Sequence, residues 1–403
     1  MLTLRTLAGP LIDLLAGRIA WERVQPDPRA FEDLCDNVID LSRMFTRRRD
    51  ELERNYLLEG RLLQAYLAYF FPVNLAKVQA LLDELPNDSA DGQPTTRPFR
   101  VLDVGGGPGT GALAALDWVR QKAVQKRALE AVVVDHAGPA LKQAEALWRA
   151  YTGAAGIVNA RLRCIRADVE RPSWLASLPP SPYDVIIVAN TLNELFLQSP
   201  DPTERRGKLI GMLLERLHPT GALIIMEPAL RDVARNLHMV RDAVVAQRNC
   251  TVYSPCLHED SCPALFKVED WCHEERPWRP PPWIVAIDEV VGFIKDALKF
   301  SYVILRRDGR TIVPRDAAAF RVVSELRVMK GDIRAWLCSE QGRSDIGRLD
   351  RDRSDVNQGL DAWHRGAIVR LTNVEWKPER KTGLHTGRVR KTSGAEVIRP
   401  VDG

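Results

Sequence analysis

The residues best suited to chemistry in this 403-residue chain are thiols and imidazoles crowded into one short stretch. It runs from Cys250 through Cys256, His258 and Cys262 to Cys272 and His273. Pro255 and Pro263 stand beside two of the cysteines and restrict the local backbone. Soft thiolates at this density suit zinc or an iron–sulfur cluster. The spacing lacks the Cys-x-x-Cys pairs of a zinc finger, so it leaves the metal open, and local spacing alone selects Cys250 as the fourth ligand. Under zinc, His258 and His273 are further candidate ligands; otherwise they are ordinary neighbours of the thiols. Redox-active thiols are the competing reading.

A second group surrounds a glycine turn, Leu102-Asp-Val-Gly-Gly-Gly-Pro-Gly-Thr110. Val101, Leu102 and Val104 read as a strand buried on both faces. The turn removes Cβ atoms where a ligand must approach, and a helix from about Thr110 aims free N–H groups at it. Taken alone, the glycines also fit a plain strand-to-helix turn. The following segments add carboxylates. A strand over 131–135 ends in Asp135, suited to ribose hydroxyls. One over 162–168 ends in Asp168, placed to meet an exocyclic amine. One over 183–190 leads into Asn190-Thr-Leu-Asn-Glu194, and a fifth spans 221–227. Strands alternating with helices predict a parallel sheet with ligands at its carboxyl ends.

A dinucleotide site would favour G-x-G-x-x-G. Here Asp103 precedes Gly105-Gly-Gly-Pro-Gly109, which resembles the class I methyltransferases that use S-adenosylmethionine. That resemblance implies an α/β, Rossmann-like, seven-stranded fold. It sets Gly105, Gly107 and Gly109 against the methionine part of the cofactor, Asp135 on the ribose and Asp168 on the adenine. Asp103 and Asn190 complete the expected cofactor site. Acceptors sit after the fourth strand, so Asn190, Asn193 and Glu194 are the catalytic candidates. The Asn/Asp-Pro-Pro-Tyr/Phe signature of amino-nitrogen methylation is absent, as is the cysteine pattern of ring-carbon methylation. Tying strand end to helix start is the competing role for the two asparagines.

These groups need elements to position them. Residues 1–90 read as a helical region. Within it Arg47, Arg48 and Arg49 form a charged face, and the aromatics of Ala65-Tyr-Leu-Ala-Tyr-Phe-Phe-Pro72 read as core. A polar, proline-bearing linker over 87–98 separates it from a methyltransferase-like domain at 98–340. The cysteine-rich insertion, 250–283, is expected after a helix at 231–247 and before the last two strands, 301–305 and 333–338. Residues 275–283 read as a stiff proline-rich connector, and 339–361 as a loose polar stretch. A basic β extension closes the chain at 341–403, with short strands at 367–371 and 396–400 around a basic turn at 377–391. That turn suits either RNA backbone contact or plain solvation.

A closer resemblance covers about residues 40–340. It rests on Tyr66-Leu-Ala-Tyr-Phe-Phe-Pro-Val-Asn74, the glycine turn, Asn190-Thr-Leu-Asn-Glu-Leu195, the stretch from Cys256 to His273, Lys299-Phe-Ser-Tyr-Val-Ile-Leu-Arg-Arg307 and Ala335-Trp-Leu-Cys338. Together these resemble the methyltransferase-like family associated with the small ribosomal subunit, which has mitochondrial and bacterial members. The resemblance implies a 4Fe–4S cluster on Cys256, Cys262, Cys272 and Cys338. It also implies a retained S-adenosylmethionine fold and a role in small-subunit assembly or translation, with the subunit and its rRNA as partners. Adjacent final strands would carry Cys338 close to the loop. Two other functions remain open: an active rRNA methyltransferase, and a zinc-stabilised small-molecule methyltransferase.

Composition narrows the setting. The net charge of +4 does not mark the whole chain as a polyanion binder. Seven cysteines without a signal peptide point to a reducing compartment rather than a disulfide framework. No apolar run reaches membrane-spanning length. The first 21 residues read as an amphipathic helix in preference to a transit peptide. The expected setting is the bacterial cytoplasm, or the mitochondrial matrix for a eukaryotic source, with the free protein a monomer.

Overall fold

Apolar, β-branched segments flanked by helices assemble the first sheet. The computed structural model describes residues 4–46, 56–86, 97–122, 127–180, 182–294, 296–316, 318–377 and 385–401. Eight strands form this sheet: β1 Phe99–Val104, β2 Leu129–Asp135, β3 Ala160–Arg166, β4 Tyr183–Ala189, β5 Leu217–Pro228, β6 Thr251–Ser254, β7 Glu274–Pro277 and β8 Ala297–Arg306. The order is β3-β2-β1-β4-β5-β8-β6, with β7 paired to β8. Strands β1 to β5 pair in parallel. β8 runs antiparallel to β5, β6 and β7. This seven-strand path with one reversed strand next to the edge is the class I methyltransferase order.

Both faces of the sheet are covered. Val101, Val133 and Ile187 pack with helices Thr110–Gln121 and Gly138–Ala154, whereas Leu102, Val134 and Ile186 pack with Pro202–Glu215 and Arg231–Val245. Helix Phe71–Leu82 of the amino-terminal region is buried at every position except Lys77. A helix apolar on all sides belongs inside a core. The amino-terminal helices therefore share the sheet's core instead of standing apart.

A second eight-stranded sheet follows: β9 Ala319–Val322, β10 Arg327–Met329, β11 Asp332–Ser339, β12 Gly342–Leu349, β13 Ile368–Thr372, β14 Glu375–Lys377, β15 His385–Val389 and β16 Gly394–Arg399. Its order is β14-β15-β12-β11-β9-β13-β16, with β10 on β11, and its core includes Phe320, Leu337, Ile346, Trp363 and Val369.

Residues 333–338 are thus not the last strand of the first sheet. They belong to β11, between β9 and β12. In β11, Ile333, Ala335 and Leu337 are buried while Trp336 and Cys338 are half-buried. That is the period-two pattern of a strand with one packed face, unlike the continuous apolar run of β8. Accordingly, Cys256, Cys262 and Cys272 lie between β6 and β8, the last two strands of the seven-strand path in chain order, and not ahead of both. The stretch 339–361 is not loose either. Ser344, Ile346 and Arg348 of β12 point inward, and buried Arg348 donates to the Asn357 carbonyl at 2.9 Å and to Asp361. Few of these side chains are apolar, so hydropathy did not mark the strand. The proline-rich connector starts as β7 and ends in helix Pro282–Val291. The two carboxyl-terminal strands occur as expected and pair with each other. Arg47, Arg48, Arg49 and most of the 87–98 linker lie outside the described residues, as does part of the 377–391 turn. Among the described residues no helix is long and apolar enough to cross a membrane.

Candidate functional site

A cavity of about 530 Å3 opens at the carboxyl ends of β1, β2 and β4. The glycine turn forms one wall. Gly107 adopts φ 53° and donates its N–H to Asp135 Oδ2 at 2.9 Å, while Ala137 N–H bonds Oδ1 at 2.8 Å. Asp135 thus pins the turn while facing the cavity. Gly105, Asp168, Asn190, Asn193 and Glu194 line the same space. Asp103 and Gly109 do not. Gly109 turns against Ala144. Asp103 lies under the turn, 1% exposed, and accepts from Ala112 N–H at 2.9 Å. Its Oδ1 is buried without a hydrogen-bond partner among the described residues. Burial pushes this carboxyl up to about 7, with Asp135 adding to the rise against the Ala112 and Gly111 N–H groups. A Cβ at Gly111 would come within 2.6 Å of Asp103 Oδ1, so the helix start needs glycine there.

The candidates after β4 separate into two roles. Asn190 ends the strand in a left-handed conformation, φ 54°, facing the cavity. Asn193 instead binds Glu227 at the end of β5: its side chain donates to Oε2 and its N–H donates to Oε1 at 3.3 Å. Glu227 is 1% exposed, so this pair ties strand end to strand end. Sequence reading missed Glu227, although an acid closing the apolar run of β5 is a visible signal. Glu194 borders the cavity close to the phenols of Tyr56 and Tyr66.

The amino-terminal helices supply another wall. Tyr66 and Phe70, read from sequence as core, line the cavity together with Phe45 and Tyr56, whereas Leu67, Ala68, Tyr69 and Phe71 are buried. Residues Tyr66–Phe70 form a single π-helical turn. Such turns recur where side chains are redirected for function.

The second cavity, about 50 Å3, is lined by Cys256, Cys262, Cys272 and Cys338, with His238, His258 and His273. Three thiols come from the loop between β6 and β8, and the fourth comes from β11 of the other sheet. Cys250 is elsewhere, buried in the core beside β6. Burial, together with the neighbouring Cys256 charge, pushes Cys272 up to about 12. Cys262 and Cys338 are raised in the same way, by burial and by the other thiols. Buried together, these groups are neutral thiols, and only a bound cation would favour their ionised, metal-ligating form. Among the described residues, however, no three His, Cys, Asp or Glu groups converge tightly enough to hold one metal ion.

Helix Arg231–Val245 staples the coreless loop in place. Arg235 donates to the carbonyls of Ala264, Lys267 and Asp270 at 2.7–2.8 Å. Buried Arg241 donates to the carbonyls of His258 and Asp260. Asp242 accepts the Cys262 N–H at 2.9 Å, and His238 Nε2 stands 3.4 Å from the Cys272 carbonyl. These partners recur every third or fourth residue on one helix face. In sequence they read only as part of the helix at 231–247.

A buried ion network joins the three regions beside this cavity. Glu84, after helix Phe71–Leu82, accepts from Arg276 of β7, from Tyr302 of β8 at 2.8 Å and from Ser254 of β6 at 2.6 Å. Arg321 of β9 bonds Glu274 at 2.6 Å and reaches Glu84 at 3.5 Å. Burial alone would raise the Glu84 carboxyl; Arg276 and Arg321 outweigh it and hold the group below its usual range.

The sheet order and the glycine-walled cavity define a methyltransferase-like α/β protein. The chain belongs to the Rsm22 family: the family model described as mitochondrial small ribosomal subunit Rsm22 matches residues 62–349. Among solved structures it is similar to the mitomycin 7-O-methyltransferase MmcR, at 14% identity and a TM-score of 0.35, over 75% of this chain and 74% of that one. It is also similar to an S-adenosylmethionine-dependent methyltransferase of Leishmania major, at 15% identity and a TM-score of 0.33, over 63% of this chain and 81% of that one. No curated protein matches the chain.

Proposed function

We propose that this protein binds S-adenosylmethionine in the larger cavity, carries a 4Fe–4S cluster on Cys256, Cys262, Cys272 and Cys338, and acts on the small ribosomal subunit in assembly or translation. The observation that carries this reading is the meeting of four thiols from two sheets around one buried cavity, in a chain of the Rsm22 family. A single zinc ion needs sulfurs drawn to about 2.3 Å from one point. Four thiols lining one cavity match the ligand number of a 4Fe–4S cluster, and the family resemblance selects the cluster over zinc. Bound there, the cluster supplies positive charge and a covalent tie between the sheets. In the larger cavity the carboxylates of Asp135, Asp168 and Glu194 suit a cationic sulfonium cofactor. Partners are the subunit and its rRNA; the setting is the mitochondrial matrix for a eukaryotic source and the cytoplasm for a bacterial one.

The test is co-sedimentation of anaerobically purified protein with small subunits, with labelled S-adenosylmethionine retained on dialysis. Migration apart from the subunit, with normal subunit profiles in cells lacking the protein, would sink the ribosomal reading.

A second reading, active methylation of rRNA, is favoured by the extent of the larger cavity beyond the glycine turn, out to Tyr56, Tyr66 and Phe70. Asn190 and Glu194 would border the acceptor in that case. Failure of labelled methyl groups to reach any ribosomal RNA or protein from cofactor-loaded enzyme would exclude it.

A further inference from the structure

One end of the 530 Å3 cavity is built unlike a cofactor pocket. Phe45, Tyr56, Tyr66 and Phe70 contribute four rings to its lining, all from the amino-terminal helices. Tyr66 and Phe70 lie within 24° of parallel, with centroids 6.1 Å apart. Phe45 meets Phe70 edge-on at 5.0 Å and Tyr56 at 5.2 Å, so each ring braces its neighbour. Braced aromatic faces are stacking surfaces for a flat ring. Along the same helix, Asn74 donates to the Tyr66 phenol at 3.4 Å, and Lys77 donates to Asn74 Oδ1 at 3.4 Å. Burial pushes Tyr66 up to about 12, so its hydroxyl stays neutral and able to donate. Lys77, the one position of helix Phe71–Leu82 that is not buried, and half-exposed Lys299 of β8 bring cationic groups to the lining.

We propose that this part of the cavity is a slot for one unpaired nucleobase of a single-stranded or flipped-out RNA nucleotide, stacked on the Tyr66–Phe70 wall, with Lys77 and Lys299 meeting its flanking phosphates. Lys299 pairs with Glu275 at 3.4 Å and Lys77 bonds Asn74, so both are held beside the wall, where a nucleotide's phosphates and not a bare flat ring would meet them. A base inside a duplex could not reach the wall, so the nucleotide must leave its stack. Glu194 and Asn74 offer acceptors to the edge of the base. The slot rests on the ribosomal reading for its choice of RNA, and on S-adenosylmethionine binding only for what occupies the adjoining glycine wall.

The test uses the full chain, loaded with S-adenosylhomocysteine, and a single-stranded RNA 12-mer carrying one 5-iodocytidine, which photocrosslinks to a stacked aromatic ring. Crosslinked peptides are mapped, and retention of labelled S-adenosylmethionine is measured on matched samples not exposed to S-adenosylhomocysteine. Expected is a crosslink at Tyr66, Phe70 or Tyr56, about tenfold weaker in Phe70→Ala and clearly reduced in Phe70→Leu, which keeps the volume of the site. Lys77→Gln should lower the yield and reduce its salt dependence. Crosslinks confined to residues 319–401, or a yield unchanged in Phe70→Leu, overturn the slot. If those results come with normal cofactor retention, only the slot fails. If retention is absent while the crosslink persists at the aromatic wall, the slot stands and the cofactor reading falls.

Discussion

Cys338 Sγ lies 3.5 Å from Nε2 of His258, a contact between β11 of the second sheet and the loop that joins β6 to β8 of the first. It brings the fourth thiol to the other three, although Cys338 is 66 residues beyond Cys272 in the chain. Iron and sulfide measured after anaerobic purification should therefore be lost in Cys338→Ser and retained in Cys250→Ser, because Cys250 packs in the core away from the cavity. Zinc without sulfide, or a dependence on Cys250, would refute the assignment.

Asp135 faces the larger cavity while accepting two backbone N–H groups. Asp135→Asn should weaken retention of labelled S-adenosylmethionine by about tenfold or more, through loss of charge-assisted hydrogen bonds. Asn193→Ala should instead lower the melting temperature, since it removes the Asn193 side-chain hydrogen bond to buried Glu227. Equal retention in wild type and Asp135→Asn would remove the carboxylate from the binding site.

Glu84 is 5% exposed and faces two buried guanidiniums. Breaking such a set from one side leaves uncompensated charge, so Glu84→Gln should cost about 3–5 kcal/mol in chemical denaturation. Lys208→Ala is the control. It removes an exposed ion pair with Glu204 and should change stability by less than about 0.5 kcal/mol.

Stability of the cofactor-free protein should carry the signature of Asp103. In the unfolded chain an aspartate ionises near about 3.9; in the fold Asp103 holds its proton up to about 7. Between those values the folded state binds more protons, so this group makes stability fall as pH rises from about 4 to about 7, by ~2–4 kcal/mol, and level off above. Asp103→Asn should flatten that slope. A wild-type slope unchanged by the substitution would show the carboxyl to be ionised throughout.

Sequence made the first sheet legible because its central strands are buried on both faces and read as continuous apolar runs. The glycine turn and Asp135 were legible for the same reason, since each ends a recognisable strand; Asp168 lies two residues beyond β3, a half-exposed strand that ends at Arg166. The second sheet was hidden. β12 holds Ser344, Gly347 and Arg348 on buried positions, and its stability depends on Arg348 finding Asn357 and Asp361. Cys338 reaches the thiol cavity, but as part of a half-buried strand of that second sheet and not as the neighbour of β8. Arg235, Arg241 and Glu84 were invisible as structural residues. An isolated charge looks like surface until its distant partner is known, and Tyr66 and Phe70 looked like core because aromatic spacing on a helix does not reveal which face meets a cavity.

The ion network also sets an order for making the protein. Glu84 and Arg321 are 237 residues apart in the chain. At about 5–20 residues per second, a ribosome needs roughly 10–50 s to add the stretch between them. For most of that interval the nascent amino-terminal helices carry a carboxylate with neither buried counter-charge, and until its end Arg321 is still missing even after Arg276 has been added. The first sheet can be threaded and even hydrogen-bonded, but its seam stays open until β9 emerges. A chain halted short of residue 321 would thus be a target for chaperones and proteases, however complete its cofactor cavity.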